Sequence, residues 1–241
     1  MSDHEDRYDL IVVGAGVSGC EAALGAARGG LNVLLVTTSL DTVYNLVGEG
    51  ARLAPPPGTL MAELCGSAGQ VATFELHRRA KTAAEHHPKL HLLQSSVSGL
   101  LAENAQIRGV STWEGVDRFA PRVALCAGSF LRARLRVGEL TETSGRLSEM
   151  AYDDLYDDLA ERGFEFAEVR LEAPPSRGAP PYTVACWHFD HVEWRGDFTL
   201  SRLRGLYAAG VCAAGYLSYE DAAAQGQALS RALLEAGQTP D

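Results

Sequence analysis

Three glycines carry the first chemistry this sequence offers. Gly14, Gly16 and Gly19 stand in the order G-x-G-x-x-G, straight after the apolar run Leu10–Val13 and straight before an alanine-rich stretch with Ala22, Ala23, Ala26 and Ala27. That spacing, between a buried strand and a helix, serves a dinucleotide. Gly14 permits the tight turn. Gly16 has no Cβ, so a pyrophosphate can approach the backbone. Gly19 lets the helix pack close to the strand. The pyrophosphate then rests on free N–H groups at the helix start, where the dipole favours negative charge. Gly14, Ala15, Gly16, Val17, Ser18 and Gly19 are therefore the expected phosphate-binding residues. A glycine-rich turn with no ligand is the alternative. A second apolar run at residues 33–36 argues for the dinucleotide, since the unit needs a following strand.

Thr37, Thr38 and Ser39 close that second run and are expected near the adenosine ribose. A fold that takes NAD usually has an acidic residue here for the ribose 2′-hydroxyl. This chain has hydroxyls, with Asp41 slightly late, and no arginine close enough to favour NADP. The five cysteines, Cys20, Cys65, Cys126, Cys186 and Cys212, form no C-x-x-C pair and read as reduced thiols of a cytoplasmic protein. Cys20 sits in the first turn of the glycine-loop helix, where the dipole can activate a thiol, yet a small packing residue suits that place better. Cys126 reads as core. His188 and His191 would point to opposite faces of a strand, which does not make a metal site. Asp153, Asp154, Asp157 and Asp158 read as the solvated face of a helix rather than metal ligands. Trp113, Trp187 and Trp194 read as packing rather than a platform for stacked bases.

The elements that position these residues follow from composition and pattern. The chain has 241 residues, 46% of them hydrophobic, enough for one α/β domain with or without an appended lobe. No apolar run approaches the roughly 18 residues of a membrane span, and the polar, acidic start is unlike a signal peptide. The formal net charge of −10 argues against strong unaided nucleic-acid binding. One local exception is Arg132, Arg134 and Arg136, whose alternation places them on one face of a strand. A helix is expected over residues 71–87, stopped by Pro88, and a strand over 90–93. Residues 96–127 read as strand, turn, strand, turn, strand, with breaks at Glu103-Asn104 and Glu114-Gly115. A meander there resembles the piece that two-dinucleotide flavoproteins insert before a later strand of the main sheet. Tyr152, Leu155, Tyr156 and Leu159 recur at helical spacing up to Gly163. Residues 164–200 look strand-rich. Residues 205–210 form a glycine-ended strand that leads to an alanine-rich helix ending near Leu234. The fold class expected is α/β: a Rossmann-like FAD/NAD(P)-binding domain, with a parallel sheet, a β-meander insertion and a small strand-rich excursion. The whole of 1–241 is read as a single FAD-binding domain, with 140–200 as a lobe within it.

Several segments together are similar to the GidA/MnmG family, FAD-dependent enzymes that help modify the wobble uridine of tRNA. Ile11-Val-Val-Gly-Ala-Gly-Val-Ser-Gly-Cys-Glu-Ala-Ala-Leu24 resembles the family's opening, and Leu40-Asp41-Thr42 its next element. Cys126-Ala127-Gly128-Ser129-Phe130-Leu131 resembles its T-x-G-T-F-L segment, Arg136-Val137-Gly138 its I-x-I-G, and Gly145-Arg146 its glycine-arginine pair. Gly215-Tyr-Leu-Ser-Tyr219-Glu220-Asp-Ala222-Ala223-Ala224-Gln225-Gly226 is similar to its G-Y-E-E-A-A-A-Q-G. The resemblance implies FAD as cofactor, with the start of the last helix aimed at the flavin. It adds Ala127, Gly128, Gly210, Tyr219 and Glu220 to the expected cofactor residues, and the Val97 backbone as an adenine contact. It also places Cys212 near the flavin, where a redox role and plain packing both stay open.

The departures matter equally. Family members are more than twice this length; what differs resembles their nicotinamide/substrate lobe and their C-terminal helical domain. The family's S-C-N-P loop, with its cysteine, reads Val47-Gly48-Glu49-Gly50 here, and its K-T-G-T-P-P-R is only echoed by Glu172-Ala-Pro-Pro-Ser176-Arg177. The expectation is an FAD-dependent oxidoreductase, with NADH or NADPH as electron donor. The rival readings are a non-catalytic FAD-binding accessory module, and wobble-uridine modification completed by a partner chain. No catalytic residue and no oligomeric state follows from the sequence.

Overall fold

A computed structural model describes residues 7–47, 50–66, 70–175, 179–194 and 196–237. β1 (Leu10–Val13) leads into α1 (Val17–Arg28) and β2 (Val33–Thr37). A short 3-10 turn, Leu40–Thr42, precedes β3 (Gly50–Arg52), α2 (Leu60–Cys65) and β4 (Gln70–Ala72), the two strands pairing antiparallel. α3 (Thr73–Glu85) and β5 (Leu90–Gln94) follow. Then come β6 (Val97–Glu103), β7 (Gln106–Thr112) and β8 (Asp117–Phe119), an antiparallel meander, and β9 (Val123–Leu125). β10 (Arg134–Val137), β11 (Leu140–Glu142), β12 (Ser144–Arg146) and β13 (Glu149–Met150) lead to α4 (Asp153–Glu161) and to the long pair β14 (Phe166–Ala173) and β15 (Tyr182–Phe189). β16 (Leu206–Ala208), α5 (Val211–Ala214) and α6 (Tyr219–Ala236) complete the described chain.

The central sheet has the order β16-β9-β1-β2-β5, and every pairing in it is parallel. A parallel sheet covered on both faces needs strands without polar alternation, which explains the unbroken runs in β1 and β2. Leu10 and Val12 point into a cluster built with α1, α2, α3 and α6. Ile11 and Val13 point into the opposite cluster, built with the meander and α4. α1 and α6 cross closely on the first face. A Cβ added at Gly226 would lie 2.4 Å from the Ser18 carbonyl oxygen, so only glycine allows this approach.

A second, four-stranded antiparallel sheet has the order β11-β10-β15-β14. It therefore draws on chain before α4 as well as after it, starting earlier than the strand-rich segment read from sequence. Residues 96–127 hold four strands rather than three. Pro121 and Arg122 part β8, which closes the meander, from β9, which enters the central sheet. The helix expected from residue 71 starts at Thr73, because residues 70–72 are taken up by pairing with β3. Trp113 is 68% exposed at the meander turn, so it packs into no core. Trp187 and Trp194 do pack, against Tyr156 and Phe198.

The arginine stripe also differs from expectation. Arg132 precedes β10 with a positive φ of 47°, so the three side chains do not share one strand face. Arg132 pairs with Asp157, and Arg134 holds Asp153 with two bonds of 3.0 and 2.9 Å. Asp158 pairs with Arg162 and accepts from Leu100 N. The acidic face of α4 is thus a docking face for arginines. Among the described residues no helix is long and apolar enough to cross a membrane.

Candidate dinucleotide site

The glycine loop lies at the carboxyl end of β1. Gly14 has φ 102°, and a Cβ there would sit 2.3 Å from the Cys126 carbonyl oxygen, so both conformation and space require glycine. At Gly19 a Cβ would lie 1.8 Å from the Gly14 carbonyl oxygen. Gly19 therefore closes the loop on itself as well as on the sheet. Gly16 is different: a Cβ there would meet nothing within 4 Å. It is the N-cap of α1, in an extended conformation, and no side chain among the described residues caps the helix start. Uncapped N–H groups facing open space are what an anion at a helix start uses.

The cleft over this loop is lined by Gly14, Ala15, Gly16, Thr37, Thr38, Thr42, Cys126, Ala127, Gly128, Phe130, Arg146, Glu149 and Tyr152. Seven of the residues expected from sequence line it: Gly14, Ala15, Gly16, Thr37, Thr38, Ala127 and Gly128. The others stand around it. Val17 is buried in the first turn of α1. The Ser18 hydroxyl turns to α6 and donates to Ala222 O at 2.9 Å. Ser39 organises the turn after β2, its Oγ accepting from Asp41 N. Val97 is buried at the start of β6, just beyond Ser95, whose N–H donates to Thr37 O. Gly210, with φ 81°, donates to Gln225 Oε1 at 3.0 Å. Tyr219 and Glu220 bind the segment that follows the 3-10 turn: Val47 N donates to the Tyr219 hydroxyl and Ala54 N to Glu220 Oε1. Between these two contacts Gly48 and Glu49, which stand in place of the family's cysteine loop, lie outside the described residues, as do Ser176 and Arg177.

Thr42, Phe130, Arg146, Glu149 and Tyr152 were not expected in the site. The short hairpin of β12 and β13 brings Arg146 and Glu149 to the cleft, and Tyr152 caps α4 beside them. The Gly145-Arg146 pair was the only sequence signal for them. Tyr152 is fully enclosed, and burial, then the neighbouring Cys212 and Glu149, push its phenol well up, so it stays protonated. The thiols behave alike. All five cysteines are buried, and in each desolvation is the leading cause of a raised pKa. Cys212 is pushed up to about 11 and bonds Leu125 O and Ala209 O. Cys20 bonds Ala15 O. Both are packing residues in this structure.

A wider cleft of about 700 Å³ lies elsewhere, between Arg136, Glu172, Pro175 and Tyr182 at one end of the second sheet. It has neither a helix start nor a glycine loop, and it borders residues that are not described, so the chemistry stays with the narrower cleft. That cleft is small, about 50 Å³, room for a phosphate group, and its lining suits the diphosphate part of a dinucleotide. Open space over Gly16 suits a pyrophosphate, Thr38 lines the cleft while the Thr37 and Thr42 hydroxyls donate to Ser39 O, and the buried Nη1 of Arg146 has no hydrogen-bond partner among the described residues.

The sequence pattern of the family described as "Glucose inhibited division protein A" matches residues 9–74 and 66–176. The "tRNA uridine 5-carboxymethylaminomethyl modification enzyme MnmG" of Chlamydia caviae is 34% identical over 204 residues, 73% of this chain and 33% of that protein. The enzyme of the same name from Geobacter metallireducens is 31% identical over 201 residues, 71% and 32%. The chain thus spans about a third of the length of these curated relatives. Among solved structures, the GidA-related protein from Thermus thermophilus superposes with a TM-score of 0.86 at 38% identity, over 95% of this chain and 99% of that one. Aquifex aeolicus GidA gives 0.87 at 17% identity, over all of this chain (100%) and 65% of that one. The thioredoxin reductase of T. acidophilum gives 0.56 at 11%, a likeness of fold alone. Glycine loop, central sheet and relatives agree: the chain belongs to the GidA family and is an FAD-binding flavoprotein related to MnmG.

Proposed function

We propose that the chain is an FAD-dependent oxidoreductase of the cytoplasm that takes electrons from NADH or NADPH. One observation carries the cofactor part of this reading: an uncapped helix start opens onto free space at Gly16, with the partly buried guanidinium of Arg146 lining the same cleft. When bound, FAD supplies reversible hydride acceptance. The chain supplies orientation. Backbone N–H groups at the start of α1 hold the pyrophosphate, and Thr37 and Thr38 face the ribose. Gly210 and the start of α6 would hold the flavin end, Tyr219 and Glu220 acting through the segment they bind. Tyr44 N donates to Ala15 O at 2.8 Å, which ties the segment after the 3-10 turn to the glycine loop.

The test is anaerobic mixing of the FAD-loaded protein with NADH and with NADPH. Rapid bleaching of the oxidised-flavin absorbance by one of them is the expected result. Bleaching no faster than with free FAD overturns the enzyme reading. It would favour the accessory module. tRNA modification belongs to the relatives by name. For this chain, modification completed by a partner chain is the weaker reading, and tRNA retained by the purified protein would favour it.

A further inference from the structure

We infer that Arg146 is the cation that clamps the dinucleotide's pyrophosphate from across the cleft, opposite the start of α1. The inference rests on the flavoprotein reading and adds to it a residue that determines what binds. Arg146 ends β12 and is fixed on several sides. Its Nη2 donates to Asn45 O at 3.1 Å, and its guanidinium carbon lies 5.9 Å from the centre of the Phe130 ring. Its Nη1 is 3.2 Å from Glu149 Oε1, an ion pair that lacks hydrogen-bond geometry. Nη1 is buried and, among the described residues, donates to nothing.

Folded proteins leave few buried donors unsatisfied, and a charged one is the most costly kind. Such an atom, on a residue that lines a cleft together with its ion-pair partner Glu149, is suited to an acceptor that arrives with a ligand and turns the guanidinium towards it. The same cleft includes Gly16 and the open helix start, which also call for negative charge. Arg146 is the one lysine or arginine among the described residues that line it. A planar guanidinium with one arm anchored presents its other N–H groups in a fixed direction, which suits two phosphoryl oxygens rather than a neutral ribose or ring. Glu149 keeps the arm in place before the ligand comes. Two positive elements then face one another across the diphosphate: the N–H groups of α1 and the fork of Arg146.

The experiment compares the wild type with Arg146→Met and Arg146→Lys in equilibrium binding of FAD, ADP and adenosine. These probes carry the diphosphate with the flavin, the diphosphate without it, and neither. For Arg146→Met the expected loss is about 10- to 100-fold, about 1.4–2.8 kcal/mol, for FAD and ADP alike, with adenosine unchanged. Arg146→Lys should recover part of the loss, since it restores the charge without the fork. Melting of the ligand-free variants reads any loss of structure separately. Four results overturn the inference. ADP bound as tightly by Arg146→Met as by the wild type would do so. So would a loss confined to FAD, which puts Arg146 against the flavin ring. So would an equal loss for adenosine, which makes its role structural. A wild type that binds neither FAD nor ADP removes the flavoprotein reading and the inference together.

Discussion

At the scale of single residues, Gly16 and Glu21 answer different questions. Gly16 has φ −72° and empty space where a Cβ would go, so valine fits the free protein without strain. Its methyl groups would instead fill the space left for the pyrophosphate. Gly16→Val should therefore melt within a few degrees of the wild type while losing FAD affinity by a hundredfold or more, about 2.8 kcal/mol; titration with FAD and a thermal melt check the two halves. Glu21, on the same helix, is buried and touches no ligand. It accepts from the Tyr44 hydroxyl at 2.7 Å, Leu60 N at 2.7 Å and Met61 N at 2.8 Å, tying the glycine-loop helix to the start of α2 and to Tyr44. Burial raises its carboxyl above 4.5, and the three hydrogen bonds only partly offset that. A carboxyl raised in the folded state keeps its proton there when the unfolded chain has lost it. Its stabilising contribution is thus fully present below about pH 4.5 and is lost as the pH rises through the raised value. Glu21→Gln does not titrate. The wild type should be more stable than this variant by about 1–3 kcal/mol in mild acid, and the gap should narrow towards neutral pH. Urea titrations at several pH values read the gap directly; one that widens with pH contradicts the assignment.

At the scale of elements, the α1–α6 crossing is the joint that aligns the glycine loop with the start of the last helix. Gly226 lies against the Ser18 carbonyl oxygen and the Ser18 hydroxyl donates to Ala222 O, so main chain of both helices is engaged and the contact cannot yield cheaply. Gly226→Val should cost about 3 kcal/mol, or roughly 6–12 °C in melting temperature for a chain of this size. A calorimetric scan decides it, and a shift under about 2 °C, well short of that estimate, would mean the helices separate freely. This joint was half legible in the sequence. The G-x-G-x-x-G pattern and the unbroken apolar runs of β1 and β2 reveal a parallel sheet with a glycine loop suited to a dinucleotide, because those signals are local. Gln225-Gly226 could be matched to a family motif, but its task of holding Gly210 N depends on a contact across the fold. Arg146, Glu149 and Tyr152 escaped for the same reason: no periodicity links a hairpin near residue 146 to a loop at residue 14. The pairing of Arg132 and Arg134 with α4 was likewise invisible, since the aspartates read alone as a solvated face and the arginines as a local basic patch.

At the scale of the whole molecule, charge and cofactor set what the chain meets. Its formal net charge is −10, and two arginines of the basic stripe that would counter it are occupied by Asp153 and Asp157. Surface pairs of this kind add little stability, but they remove the positive face a phosphate backbone needs. The isolated chain should therefore bind tRNA weakly and without choosing between tRNAs. A titration of labelled tRNA at about 150 mM salt, near physiological ionic strength, tests this; tight binding that distinguishes one tRNA from another contradicts it and favours the tRNA-modification reading. The central claim is narrower and more directly testable: the cleft over Gly16 holds FAD. The decisive measurement is to saturate the purified protein with FAD, remove the excess, release what remains by heat and identify it by chromatography against the protein concentration. The account predicts FAD close to one per chain, and none on the Gly16→Val variant. A well-folded protein that retains no FAD, or that retains a nicotinamide nucleotide in its place, would contradict it.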